Sequence, residues 1–237
     1  MKRLIALGCS ITKDNFQKTW PNYLSEYFKL ECVNIGARGA GMDFLSTRLI
    51  AFDLKSSDLV GIMLPSADRF DWYIDKENPL QRNALNIASW QNGKNSNLVG
   101  INGELSNTTG FVLSGGEHRG EKALWFKYFY SEYKARLDFW KSVHYIQLYL
   151  ESCGVNYFFT SVYDKDKQIE QSINYGITLK KFDVIDKINF NKFVYYKNEL
   201  GFLSFCNDNN YKRVNDYPVT EAHEHYVKQY LIPGVKV

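Results

Sequence analysis

Three short apolar runs near the N-terminus constrain this chain more than any other feature. They are Leu4-Ile5-Ala6-Leu7, Cys32-Val33-Asn34-Ile35 and Leu59-Val60-Gly61-Ile62-Met63-Leu64. The first stops at Gly8, the second at Gly36 and the third at Pro65. Runs this short, without polar alternation, read as strands covered on both faces. Helical periodicity lies between them. Thr19-Trp20-Pro21-Asn22-Tyr23-Leu24-Ser25-Glu26-Tyr27-Phe28 begins with a capping Thr19, tolerates Pro21 in its first turn, and repeats Leu24, Tyr27 and Phe28 on one side. Phe44, Leu45, Arg48, Leu49 and Phe52 do the same after the second run. Strand, helix, strand, helix, strand predicts a parallel sheet with crossover helices on both faces. A three-layer α/β/α domain with about five strands is therefore expected.

The rest of the chain is less regular. Residues 76–118 are rich in Asn, Gly and Ser and read as an inserted loop or cap, with short strands around Leu98–Ile101 and Phe111–Leu113. Residues 121–152 read as a long helix, Asn156–Val162 as a fourth strand, and Thr220–Leu231 as a terminal helix between Pro218 and Pro233. Residues 163–210 give no clear assignment. Neither a repeat nor a linker divides residues 1–237, so one domain is expected.

Composition narrows the function classes. With 45% hydrophobic and 16% aromatic residues, the chain has enough core material to fold without disulfides or metal. Cys9, Cys32, Cys153 and Cys206 form no Cys-x-x-Cys pair, which argues against zinc and for reduced thiols. A net charge of +3 gives no basis for a nucleic-acid partner. No apolar run reaches the roughly 18 residues of a membrane span. The apolar stretch before Cys9 is shorter than the ~7–15 residues of a signal core, so a cytoplasmic protein is expected.

In sheets of this kind ligands bind at the carboxyl ends of the strands. Those ends are Gly8-Cys9-Ser10, Gly36-Ala37-Arg38-Gly39-Ala40-Gly41 and Pro65-Ser66-Ala67-Asp68-Arg69. Ser10 follows a strand and a glycine, where a hydroxyl can act as a nucleophile beside backbone N–H groups; a serine there also serves as an ordinary turn residue. The glycine turn after the second strand offers free backbone donors, or simply a tight turn. It follows the second strand and no Gly-x-x-x-x-Gly-Lys-Ser/Thr exists, so nucleotide binding has little support. Asp68 and Arg69, with Asp71 and Trp72, suit a sugar held by hydrogen bonds and stacking, or an ion pair closing a loop.

Taken in order, these blocks resemble the SGNH (GDSL-like) hydrolases, a family of esterases, lipases and acetyl-esterases. Gly8-Cys9-Ser10 is similar to the Gly-Asp-Ser nucleophile block, with Cys9 in place of the acid. Asn34-Ile35-Gly36-Ala37-Arg38-Gly39 is similar to the second block, and Leu64-Pro65-Ser66-Ala67-Asp68-Arg69 stands where Gly-x-Asn-Asp is found. With Thr19-Trp20-Pro21, the set is most similar to a subset seen in phage and marine-bacterial sequences. The resemblance implies a flavodoxin-like winding and an ester substrate, either a small molecule or an O-acyl group on a glycan. It implies Ser10 as nucleophile, backbone donors at Ser10 and Gly39 with Ser66 for the oxyanion, and no metal or organic cofactor. Asp68, Arg69 and Tyr217 fall in substrate-binding positions.

Departures from the pattern are concentrated at the C-terminus. In Val214-Asn215-Asp216-Tyr217-Pro218, Tyr217 stands where the family's histidine is found and Asn215 where its acid is found. Ala67 replaces the oxyanion asparagine. His223 is then the candidate base, with Asp216 as its acid; a core histidine is the competing account of His223. His118, His144 and His225 are expected to be structural. A catalytically silent member of the family, binding a glycan or serving in a phage particle, is the alternative function.

Overall fold

The computed structural model describes residues 2–13, 16–69, 71–75, 98–102, 105–106, 109–113, 128, 130–165, 183–214 and 217–235. Its centre is a parallel sheet of β1 (Arg3–Gly8), β2 (Glu31–Asn34), β3 (Leu59–Leu64) and β8 (Asn156–Ser161). The order is β2-β1-β3-β8, a flavodoxin-like winding. Ile5 pairs with both Val33 and Val60, and Ile62 pairs with Phe159. The fifth place is held by one parallel bridge, Phe193 to Phe159, with the Val194 N–H donating to the Phe159 carbonyl at 2.8 Å.

The uniform apolarity of these strands has a direct packing cause. Ile5, Leu7, Val60, Ile62, Leu64 and Phe159 face one core, closed by α2 (Met42–Ile50) and α3 (Glu132–Ser152). Leu4, Ala6, Leu59, Met63 and Phe158 face the other, closed by α1 (Trp20–Phe28), α4 (Phe202–Asp208) and α5 (Thr220–Tyr226). Side chains alternate across a strand, so a strand buried on both faces has no polar position to spare. The architecture is the expected three-layer α/β/α arrangement.

A second, antiparallel sheet follows β3. It has the order β4 (Asp71–Asp75), β7 (Thr109–Leu113), β5 (Leu98–Val99), β6 (Leu105–Ser106). Phe111 of β7 meets Phe44 of α2 edge-on at 5.4 Å, which docks this sheet on the first core. Much of the expected insertion, 76–97 and 114–118, lies outside the described residues, as do Trp125, Lys180, Lys181 and His118.

The terminal helix differs from the single helix expected over Thr220–Leu231. After Tyr226 it widens into a π-helical turn, Val227–Leu231, and ends in Ile232–Gly234. Pro233 explains the widening: it has no N–H to give the Gln229 carbonyl, and its ring crowds that carbonyl. Among the described residues no helix is long and apolar enough to cross a membrane.

Candidate functional site

The exits of β1 and β2 are bound together. Gly8 has φ +153°, and a Cβ there would lie 2.1 Å from Thr12 Oγ1 and 2.8 Å from the Met63 carbonyl oxygen. Only glycine fits. The Ala37 N–H donates to the Gly8 carbonyl at 3.0 Å. The Asn34 side chain bridges the two exits: its Nδ2 donates to the Thr12 carbonyl at 2.7 Å, and its Oδ1 accepts from the Gly36 N–H at 3.1 Å. Lys13 Nζ donates to the Asn34 carbonyl at 3.2 Å. Ser10 is bracketed by Gly8 and Thr12, both of which touch this segment. Its turn is closed by the Thr12 and Lys13 N–H groups on the Cys9 carbonyl, each at 2.9 Å. Gly39, at φ +81°, takes the left-handed conformation in the facing turn.

Ser10 retains 7% of its surface. Its hydroxyl makes no hydrogen bond to another described residue. Cys9 is buried among Ile11, Trp20 and Ala222 on the α1 side of the sheet.

Thr12 is the hub that sequence reasoning missed. Its carbonyl accepts from Thr19 Oγ1 at 2.7 Å as well as from Asn34, and its hydroxyl accepts from Trp20 Nε1 at 3.0 Å. Thr19 therefore spends its hydroxyl on the Ser10 turn. The start of α1 is held instead by the Thr19 N–H donating to Asn22 Oδ1 at 3.0 Å. The Thr19-Trp20-Pro21 motif is a brace for the Ser10 turn. The available signal was its company: a polar-aromatic-proline triplet opening the helix after the Gly8-Cys9-Ser10 block.

The third exit joins the same edge through backbone groups. Ser66 is half-buried and Ala67 buried, and the Arg69 N–H donates to the Ser66 carbonyl at 3.3 Å. Arg69 Nη1 donates to the Ala40 carbonyl at 3.3 Å, which ties this exit to the second turn. Asp71 belongs to the cluster whose residues suit either a sugar or an ion pair closing a loop. It caps α2, accepting from the Gly41 N–H at 2.9 and 3.0 Å and from the Phe44 N–H at 2.9 Å. Burial pushes its carboxyl up to about 7, against those N–H groups, which favour its charge.

The C-terminal block reaches this rim. Tyr217, in β10 (Tyr217–Pro218), pairs with β9 (Arg213–Val214). The Arg38 guanidinium lies 5.3 Å from the Tyr217 ring and 5.9 Å from the Phe16 ring, and its Nη2 meets the Tyr217 hydroxyl at 3.4 Å. Gln17 Nε2 donates to the Pro218 carbonyl at 2.9 Å. His223 is 1% exposed and packs on the Phe202 ring at 4.7 Å. Phe202 opens α4, whose first turn is tied to the exit of β8: the Leu203 N–H donates to the Val162 carbonyl at 3.0 Å. His225 is exposed and hydrogen-bonded to the Tyr211 hydroxyl, and His144 is half-buried in α3. Asn215 and Asp216 lie outside the described residues. Among the described residues no group of three or more His, Cys, Asp or Glu side chains is arranged to hold a metal ion.

No family model matches this chain, and no curated protein does. Among solved structures it is similar to a chain from Desulfitobacterium hafniense DCB-2, described provisionally as a lipolytic protein of the G-D-S-L family. The likeness covers 96% of this chain and 97% of that one, at 12% identity and a TM-score of 0.47. A likeness of that degree carries nothing about chemistry.

Proposed function

We propose that this chain is a serine ester hydrolase of the SGNH type, acting on an O-acyl group of a carbohydrate. One observation carries the reading. The first two strand exits converge so that Ser10 stands between Gly8 and Thr12, both in contact with the Asn34–Ala37 segment that leads into the Gly39 turn. That geometry supports a hydroxyl beside preorganised backbone donors, the arrangement acyl transfer needs.

In this reading Ser10 Oγ attacks the ester carbonyl carbon and its proton passes to an imidazole. The oxyanion is received by the N–H groups of Ser10 and Gly39, with Ser66 beside them. The carbon–oxygen bond to the alcohol then breaks, the alcohol leaves with the proton, and water releases the acyl group from Ser10. His223 is assigned as the imidazole: its neighbour Ala222 shares a buried cluster with Cys9, the residue before Ser10. Asp216 is assigned as its acid. Asp68, Arg69 and Tyr217 are assigned to the substrate.

A fluorophosphonate probe tests this directly. Wild type should be labelled and Ser10→Ala should not, and p-nitrophenyl acetate hydrolysis should fall at least about a thousandfold in that variant. His223→Gln should slow labelling by about a hundredfold or more. Equal labelling and equal hydrolysis in wild type and Ser10→Ala would sink the enzyme and leave the glycan-binding or phage-structural alternative.

A further inference from the structure

Beyond β8, an open pocket of about 330 Å³ lies between the Phe193–Asn198 stretch and the end of the terminal helix. Its size is at the small end of ligand pockets, which span roughly 300–1,000 Å³. Phe193, Tyr195 and Tyr230 bring rings to it, and Asn198 and Gln229 bring amides. None of its lining residues belongs to the exits of β1, β2 or β3.

The rings and the turn are set before any ligand arrives. Phe193 stacks on Phe159 at 4.9 Å, and Tyr195 stacks on Phe193 at 5.6 Å. Tyr230 stands edge-on to Tyr196 at 5.1 Å and to Phe205 at 5.6 Å. Rings held this way lose little freedom on binding. Asn198 sits in a tight turn, closed by the Glu199 N–H on the Tyr196 carbonyl at 3.2 Å. Lys197 and Asn198 have φ of +44° and +71°, left-handed values that favour glycine. Lys197 is pinned there by Asp208 at 2.8 Å and by the Tyr196 ring. Glycine would take the place of Asn198 with less strain, so what the asparagine adds is an amide at the pocket. Gln229 and Tyr230 belong to the π-helical turn, and such turns are frequent at functional sites.

The lining selects the occupant. Among the described residues that line the pocket, none carries a charge. A phosphate or carboxylate seated here gives up its water and meets no counter-charge. The Asn198 and Gln229 amides and the Tyr230 hydroxyl make no hydrogen bond to another described residue. Each of these groups both donates and accepts, as a sugar hydroxyl does. Aromatic faces beside them suit the apolar C–H face of the same ring.

We propose that this pocket is an accessory site for one uncharged sugar ring, held with its C–H face on the aromatic rings and its hydroxyls on the two amides. The site does not depend on Ser10: it serves an esterase and a silent glycan-binding protein alike.

The test uses the full chain and saturation-transfer NMR with D-glucose, D-galactose, D-mannose and N-acetyl-D-glucosamine, each on the order of 50 mM, and with adenosine as the flat-ring comparator. The double variant Asn198→Gly, Gln229→Ala removes both amides. Glycine suits the left-handed turn and Gln229 is exposed, so the urea midpoint should not fall. Sugar held at the Ser10 edge survives these changes, so the difference between the two proteins reads this pocket alone. The best of the four sugars should bind the double variant about tenfold more weakly or worse, and Tyr230→Phe, which keeps the ring contacts, about three- to tenfold more weakly. Transfer from none of the four overturns the site, as does transfer unchanged in the double variant, or variant-sensitive transfer from adenosine and not from the sugars. Fluorophosphonate labelling should be the same in wild type and double variant. A wild type that takes up no label, while its sugar transfer is lost in the double variant, sinks the hydrolase reading and leaves this site standing.

Discussion

Gly8 and Thr12 hold the Ser10 turn in shape. Gly8→Ala puts a methyl group into Thr12 Oγ1 and the Met63 carbonyl at a φ of +153°. Strained backbone and overpacking together should cost about 2–4 kcal/mol, read as a lowered urea midpoint at unchanged slope. Thr12→Val keeps the volume and removes the acceptor of Trp20 Nε1. That leaves a buried indole N–H unpaired, for a loss of about 1–3 kcal/mol. Trp20 fluorescence should shift with the loss of its partner, and a spectrum identical to wild type would refute the brace. At this scale the sequence was informative where chemistry is local. Ser10, Asn34, Gly36 and Gly39 stand in short blocks with fixed spacing. Thr12's bond to Trp20, Asp71's cap on α2 and the Arg38–Tyr217 pair join segments 8, 27–30 and 179 residues apart, which no local pattern encodes.

Elements behaved as their burial dictates. β1, β3 and β8 were legible because strands covered on both faces leave a run with no polar break. β4 and β6 were not: strands of 5 and 2 residues are too short to show a period, and their pairing within one small sheet is set in space, whereas β5 falls within the short strand expected around Leu98–Ile101. The stretch from 183 to 200 escaped assignment because it contributes two isolated bridges, two short helical turns and a row of rings in place of a strand. Phe193 stacks on Phe159 at 4.9 Å and on Tyr195 at 5.6 Å. Helix α2 shows the same non-local dependence. Its N-cap is Gly41, which has no side chain to give, so Asp71 caps it from the next sheet. The Asp71 carboxyl is raised from 3.8 to about 7 by burial, and raised further by Asp43, while Arg69 and the backbone N–H groups pull it down. A carboxyl raised on folding holds a proton that the unfolded chain has released, so its contribution favours the fold below about 4 and declines as pH rises toward 7. Asp71→Asn should flatten the stability profile across that window. Urea midpoints at pH 5 and pH 8 measure it: the wild type should lose more between them than the variant does. Parallel profiles would mean that the carboxylate stays charged throughout.

The sheet has two edges, and they divide the labour of the molecule. At the carboxyl edge, a web of hydrogen bonds ties the strand exits together beside a nearly covered serine. At the amino edge, Arg3 of β1 grips Asp58 before β3 with Nε at 2.9 Å and Nη2 at 2.6 Å, and the Lys55 N–H donates to the same carboxylate at 2.8 Å. Asp58 is 1% exposed. Its burial alone would raise its carboxyl, but the bonds from Arg3 and Lys55 outweigh that and hold it below its ordinary range. A carboxyl depressed on folding stabilises the fold above its unfolded value of 3.8, and the contribution fades as pH falls through the folded value. Arg3 keeps 18% of its side chain exposed, so breaking the pair should cost about 2 kcal/mol, below the range for pairs buried on both sides. Asp58→Asn should therefore lower the urea midpoint at pH 7 and lose most of that difference near pH 3. The folded fraction should keep the labelling rate of Ser10 unchanged, because the grip lies at the far end of β1 from the Ser10 turn. Ser10→Ala should do the reverse, silencing the label while leaving the midpoint within about 0.5 kcal/mol of wild type. If Asp58→Asn slowed labelling of the folded protein, the two edges would be coupled through β1 and β3. The stiffness of the sheet would then belong to the site.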